Sequence, residues 1–569
     1  MSIVKKIKFI PIILLSLFYL PLLTFANQEL QTPQPLQKII KQRAKTVTSG
    51  NLQVPLITWG GDVATIYTSD SGIFKSHNLD VSVFVENTFP KQVEKCLAGE
   101  TPFIRGTMGM INSAAEVFKK NNLDLVVIYQ LTWSTGGDAL VARSSVKRPR
   151  DLRNKTVALQ LYGPHMDYLA NILNSANIPI NKVKLKWFSE LTLPSFDTRG
   201  KILDPVNAFL KDTSIDATMC IIPDALNLTS GGKVGTGAAG SVKGAKIILS
   251  TKTASRVISD VYAVRSDYLQ ANRSTVEKFV KALFVGQQKF ESLKANQSKS
   301  KEYQKLLSHA AKLLLGTPQA VSDVKGLLGD CYFVGFKGNK QFFTGQGTTR
   351  TMRQLTKEIQ NSFIQYGLMT KRVNLKSANW NYGSLGTGLK QKAVVSKKRT
   401  KRFDTRKVEQ KISVESTQWA EEGTLFQIEI NFAPNQSEFS QEQYKADFEK
   451  ALSIAQTYAG SLIIIEGHSD PLGILKAKKK RRSKVEIRQM QQQAKNLSLS
   501  RARKVRQSFL TYCARRGLKI DDSQFVAVGR GVAQPKYNPP RTKDEWAANR
   551  RVLFRIKQIE SELSEFSPL

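Results

Sequence analysis

The sequence predicts an α/β protein of two unequal domains, a large α/β domain followed by a smaller α/β sandwich. Three observations predict it. Between residues 52 and 385, short apolar runs alternate with amphipathic stretches; examples are 124–129 (DLVVIY), 156–162 (TVALQLY), 245–251 (AKIILST) and 260–265 (DVYAVR). That is the pattern of strands alternating with helices. Between 386 and 415 the chain becomes charged and nearly free of large apolar residues, as in KKRTKRFDTRK, which is the composition of a solvated linker. A second, shorter alternation begins near Leu425, and 569 residues are in any case too many for one ordinary core.

Taken in order, the chain opens with Lys5, Lys6 and Lys8 before an apolar run over 9–25 that Pro11 and Pro21 interrupt. Thr24-Phe25-Ala26 then supplies small residues where a signal peptidase cleaves, so 1–26 is expected to be a signal peptide and the mature protein exported. An uncleaved anchor is the alternative, but a span needs about 20 unbroken apolar residues. The first cysteine is Cys96, which argues against lipidation near Ala26. Residues 27–51 are polar and read as a tether, 52–385 as the large domain, 386–415 as the basic linker, 416–560 as the small domain and 561–569 as a tail.

In the small domain Phe426, Ile428, Ile430 and Phe432 alternate with polar residues as in a half-buried strand. Ser437 or Ser440 can cap a helix whose Tyr444, Phe448, Leu452 and Ala455 share a face. A strand over 462–465, a helix over 498–516 capped by Ser498, a strand over 525–528 and a last strand through Val552, Phe554 and Ile556 complete it. Cys96, Cys220, Cys331 and Cys513 form no CxxC and read as buried thiols, with one disulfide permitted by the compartment. The net charge of +39 would suggest nucleic acid in a cytosolic chain, but an exported one meets envelope polymers instead, so no nucleic-acid partner is expected. Gly235 to Gly240 spells GxGxxG without the strand–turn–helix context that gives the motif meaning. No HExxH, Walker lysine loop or GxSxG occurs, so no enzyme class, metal or cofactor is indicated.

Two residues of the small domain stand out. Asp470 lies in the Gly- and Pro-bounded turn GHSDPLG directly after an apolar strand, a position where sheets present site residues. Arg501 falls in the first turn of the expected helix over 498–516, where a cation opposes the macrodipole unless an anionic group sits beside it. The segments GHSDPLG, LSLSRARKV, VGRGVAQP and NRRVLFRI occur in the order found in the OmpA-like C-terminal domain, which binds peptidoglycan; the resemblance covers about 424–557. It implies that Asp470 takes the ammonium, and Arg501 the carboxylate, of diaminopimelate in the stem peptide. Opposite charges at fixed separation select an amino-acid-like group over a simple ion. In this chain Ala494 replaces an Asn usual in that family, and 476–492 adds eight basic residues against the single acid Glu486.

The large domain, through VPLITWGGD, GIFKSHNLDVSVF, GGDALVARSSVKRPRDLRNKTVAL and ISDVYAVRSDYLQANRSTVEKFVKAL, resembles a type 2 periplasmic solute-binding protein of the nitrate, sulfonate or phosphate transporter kind. That resemblance implies two lobes, a hinge of two crossovers, a small anionic solute and an ABC-type permease as partner. Loops at the strand ends offer Trp59 and Asp62; Arg105 and Thr107; Trp133, Ser134 and Asp138; Tyr162 and His165; and Asp224. Arg105 and glycine-rich backbone can meet an anion, and the indoles can stack on an organic part. The competing expectation is a structural envelope protein whose large domain binds no solute.

Overall fold

The computed structural model of the chain describes residues 28–48, 50–192, 196–347, 350–389, 424–431, 444–518 and 520–557. The expected signal peptide, the linker from 390 on, Ser437, Ser440 and the tail lie outside the described residues.

Apolar, β-branched runs give the strands of the first lobe: β1 (Leu52–Leu56), β2 (Val81–Val85), β3 (Phe103–Thr107) and β4 (Leu125–Ser134). The second lobe follows with β5 (Asp138–Ala142), β6 (Thr156–Gln160), β7 (Lys184–Phe188), β8 (Ala217–Ile221) and β9 (Lys246–Ser250). The chain then returns to the first lobe for β10 (Ser259–Arg265), β11 (Cys331–Phe333) and β12 (Lys376–Ser377). The first lobe contains a parallel β1–β2 pair and a sheet ordered β11-β4-β10-β3, with β12 beside β4; the second is ordered β7-β6-β8-β5-β9. The four apolar runs cited from the sequence lie in β4, β6, β9 and β10. Residues 235–240 precede β9 without a helix, so the GxGxxG string is a loop. All four cysteines are buried and free.

Between the strands of the two lobes the chain crosses by two short segments, 135–137 and 251–258. They run side by side: Ser134 N donates to Ile258 O at 3.0 Å and Thr251 N to Asp138 O at 2.9 Å. A third connection is a helix, Met352–Gln365. Its Gln360 donates to Asn112 in the first lobe at 2.9 Å, and Ser362 accepts from Asn174 in the second at 3.2 Å.

The expected tether is corrected over its described part. Leu36 and Ile40 are buried, and the backbone bonds of Gln31 to Trp187, Lys45 to Leu97 and Thr48 to Gly99 strap the segment along the large domain. Its prolines and polar residues hid a few apolar contacts too sparse to show a period.

In the small domain β13 (Thr424–Asn431), β14 (Leu462–His468), β15 (Phe525–Gly531) and β16 (Arg551–Lys557) form a sheet ordered β13-β16-β14-β15. Helix Lys445–Thr457 buries Phe448, Ala451, Leu452 and Ala455 against it. The expected helix over 498–516 is instead the second half of a 32-residue helix, Lys484–Arg515. Ser483, not Ser498, caps it, in a reciprocal box with Glu486. Its buried residues begin only at Ser498, so the exposed first half carries no apolar stripe for a sequence reading to detect.

This small domain is seated on the second lobe. The hydroxyl of buried Tyr458 donates to Asn171 at 3.0 Å and lies 3.2 Å from Ser175, while Gly460 N donates to Thr253 O at 3.2 Å within the second crossing. A Cβ on Gly460 would lie 2.0 Å from the backbone oxygen of Lys252. Gly460→Ala is therefore expected to separate the domains while leaving each folded. Small-angle scattering should show an increased radius of gyration with an unchanged circular dichroism spectrum.

Candidate functional site

Two constellations result, one between the lobes and one at the far end of the small domain.

Between the lobes the sequence-predicted residues are brought together unequally. Arg105, fully buried on β3, donates through Nε and Nη2 to both oxygens of Asp62 at 3.1 and 2.6 Å. Its Nη1 donates to Asp260 at 2.8 Å. Asp260 accepts from Thr132 at 2.9 Å, and Thr132 accepts from the Trp59 indole at 3.0 Å. The guanidinium is thus shared by two carboxylates within the first lobe. Burial pushes Asp62 up to about 6 and Asp260 upward as well, with Arg105 partly opposing both.

Beside the crossings, Ser134 donates to Asp138 at 2.6 Å and meets Thr251 at 2.9 Å, while Asp138 pairs with His165 Nε2 at 2.8 Å. Thr107 caps helix Met108–Lys120, accepting from Met110 N at 3.2 Å. Asp330, half-buried near Trp59 and Gly137, is pushed up to about 6 by burial and then by the charge of Asp138.

The other expected residues face elsewhere. Trp133 packs edge-on against Phe342 in the core, with centroids 6.0 Å apart. The Tyr162 hydroxyl donates to Gln34 O in the N-terminal segment. Asp224 accepts from Thr192 at 2.6 Å on the second lobe. Sequence reasoning missed Thr132, Asp260, Asp167 and Asp330, because each gains its meaning from a strand or lobe distant along the chain. The one local hint is Asp167, two residues after His165 in the YGPHMD string.

The second constellation is built at the end of β14. Helix Lys484–Arg515 presses on two glycines there. A Cβ on Gly467 would lie 1.9 Å from Ser498 O, and one on Gly529 2.6 Å from Leu499 N. Ser498 donates to Lys495 O at 2.8 Å and accepts from Gly531 N at 2.9 Å, fixing that contact to the end of β15. Arg501, one turn later, is thereby held near the Asp470 turn. It lies in mid-helix, so the expected help from a helix N-terminus is absent, and its place is set by packing instead.

Asp470 accepts from Leu472 N at 3.0 Å, and its other oxygen is 3.5 Å from Arg550 Nη1. Burial and then the like charge of Arg550 lower the pKa of Arg501, and Asp470, Arg501 and Arg550 are each half-buried. The Nε atoms of Arg501 and Arg550 are buried and have no hydrogen-bond partner. The neighbouring arginines are already engaged: Arg530 and Arg555 both pair with buried Glu466, at 2.7 and 2.6 Å. His468 is buried at the end of β14, with neither ring nitrogen hydrogen-bonded; burial and three arginines lower it to about 2, so it stays neutral. It therefore does not hold the Asp470 turn by hydrogen bonding.

Comparison with protein-family models gives no match, and comparison with curated proteins gives none. Among solved structures, similarity extends to a putative periplasmic sulfonate-binding protein of Methylobacillus flagellatus (15% identity, 62% of this chain and 97% of that one, TM-score 0.41). It extends also to the periplasmic aliphatic sulphonate-binding protein of Escherichia coli (13%, 57% and 90%, TM-score 0.38) and to the desulfurization enzyme DSZB (15%, 57% and 95%, TM-score 0.34). The two-lobed α/β architecture stands on the strand order described above.

Proposed function

We propose that the chain is an exported binding protein of a cell envelope, anchored to peptidoglycan by its small domain and holding a small anionic solute between the lobes of its large one. In this reading the product of capture is delivery to an ABC-type permease, and no bond is made or broken by the protein. The observation that supports the anchor is the pairing of Asp470 with Arg550 at 3.5 Å, beside an Arg501 whose Nε, like that of Arg550, is buried without a partner. A carboxylate beside two guanidiniums complements a group that bears both an ammonium and a carboxylate, as the free stereocentre of diaminopimelate does. Arg550 is the addition to the two residues read from the sequence. It orients Asp470 and reinforces the positive half of the clamp. The seven-residue β14, roughly 23 Å long, runs from near the Tyr458 contact to the Asp470 turn, which supports a site set apart from the large domain.

Purified protein is expected to sediment with insoluble peptidoglycan. Asp470→Ala and Arg501→Ala should each weaken retention at least tenfold at physiological salt, the loss of about 1.5–3 kcal/mol expected for a charged hydrogen bond. If both variants are retained like the parent, the clamp is wrong. If raised salt alone abolishes binding of the parent, the basic segment at 476–492 is the attachment instead.

A structural large domain that binds no solute is the second reading, and one observation favours it: Arg105 is neutralised by Asp62 and Asp260 within its own lobe. A thermal-shift panel of oxyanions and organic anions separates the two, because a ligand that binds only the folded state raises the midpoint by mass action.

A further inference from the structure

Among the described residues, one buried carboxylate between the lobes has no hydrogen-bond partner from another residue. Asp167 is the second residue of helix Met166–Ser175 in the second lobe; it is 5% exposed, and neither carboxylate oxygen has such a partner. It lies against the first turn of the 13-residue helix Met108–Lys120 of the other lobe. A Cβ built on Gly109, the second residue of that helix, would be 2.5 Å from Asp167 Oδ1 and 2.8 Å from its Cγ. Glycine at this position lets the carboxylate approach the helix end closely. A helix N-terminus carries partial positive charge and unbonded N–H groups, so it attracts an anion.

The neighbouring guanidiniums and the one imidazole are committed elsewhere. Arg105 is held by Asp62 and Asp260, His165 by Asp138, and Arg350 by Glu358 and the carbonyl of Arg256. The Thr107 hydroxyl is taken by Met110 N. The amino end of helix Met108–Lys120 is therefore a place where an anionic head group gains, and the protein's own Asp167 side chain lies against it.

We propose that Asp167 is a built-in plug: the second lobe's carboxylate occupies the anion seat at the start of helix Met108–Lys120, and a carboxylate or sulfonate solute binds there only by displacing it. This rests on the reading of the interlobe space as a solute site and specifies how that site is gated. Burial pushes Asp167 up to about 7, with its own backbone N–H and then Arg350 lowering it, and Asp138 and Asp260 raising it. The Tyr366 hydroxyl, which also lacks a partner, is the remaining group beside it.

The test uses the full chain, with sodium acetate and sodium methanesulfonate as probes and sodium chloride at equal ionic strength as reference. Thermal midpoints are measured for the parent, Asp167→Ala, Gly109→Ala and the double variant. The expected result is no probe-specific shift in the parent and a saturable rise of a few degrees in Asp167→Ala. Gly109→Ala should lower the midpoint of the parent, lose that effect in the Asp167→Ala background, and abolish the rise there. Asp167→Ser serves the same purpose if the alanine variant does not fold.

The proposal is overturned if Asp167→Ala and Asp167→Ser show no probe-specific rise. It is equally overturned if the parent responds as strongly as they do, in which case solute capture stands and the plug falls. If the midpoint cost of Gly109→Ala is the same in both backgrounds, the contact itself is wrong.

Discussion

Arg105→Met is expected to be the most damaging single substitution in the large domain. Methionine keeps much of the volume but removes the shared counter-charge of Asp62 and Asp260, both buried and both hydrogen-bonded to the guanidinium. Removing one partner from a buried ionic cluster leaves uncompensated charge, and such losses run at about 3–5 kcal/mol. Against the 5–15 kcal/mol typical of a whole domain, that is a large fraction. Denaturant titration followed by tryptophan fluorescence reads it, since Trp59 donates to Thr132 at the edge of the same network. Asp62→Asn combined with Arg105→Met should recover part of the loss, because one buried charge fewer is then stranded. A non-additive cycle of that sign is the signature of the network, whereas simple addition would show that the residues act separately.

The second large effect is a dependence on pH centred on Asp167. The ordinary value of this carboxyl is 3.8, and burial raises it to about 7 in the fold. Below about pH 4 it is protonated whether the chain is folded or not. Between about 4 and 7 the folded protein retains a proton that the unfolded chain has released, so stability falls as pH rises through that window and levels off above it. A displacement of that size corresponds to on the order of 4 kcal/mol. Asp62 and Asp330, each raised to about 6, and Asp260, also raised, titrate in the same direction, so the decline in the parent is collective. Asp167→Asn removes only its own share. Its advantage over the parent should therefore be small at pH 4.5 and grow to its full size by pH 8. Unfolding free energies for the two proteins that stay parallel across that range would contradict the assignment.

How much of this was legible in the sequence follows from the range of the forces involved. Apolar runs announce strands because the pattern is local: the runs over 124–129 and 260–265 lie within β4 and β10. Asp470 was legible for the same reason, since a turn after a strand is written in consecutive residues. Arg501 was found with the wrong helix boundary: its neighbourhood was legible, but the polar half of helix Lys484–Arg515 has no apolar face to reveal it. The packed N-terminal segment was missed because Leu36 and Ile40 are isolated anchors rather than a periodic stripe. The Arg105 network was only half visible. Arg105 and Asp62 were singled out as ligand groups, yet their partner is Asp260, 155 residues beyond Arg105, and nothing local in the chain encodes that pairing. Trp133 and Tyr162 had the composition of cleft residues, but strand pairing and the N-terminal strap turn them toward the core and toward Gln34.

The small-domain clamp is the claim on which the anchoring function depends, and its selectivity tests it more directly than affinity does. Equilibrium binding of the intact protein should be compared for two peptidoglycans that differ only at the third stem residue, one bearing diaminopimelate and one bearing lysine. Lysine retains the side-chain ammonium but lacks the second carboxylate, which the proposed clamp assigns to Arg501 and Arg550. The account predicts binding at least tenfold tighter to the diaminopimelate form, with the preference abolished by Arg501→Ala. Equal affinity for the two polymers, or a preference that survives Arg501→Ala, would contradict it.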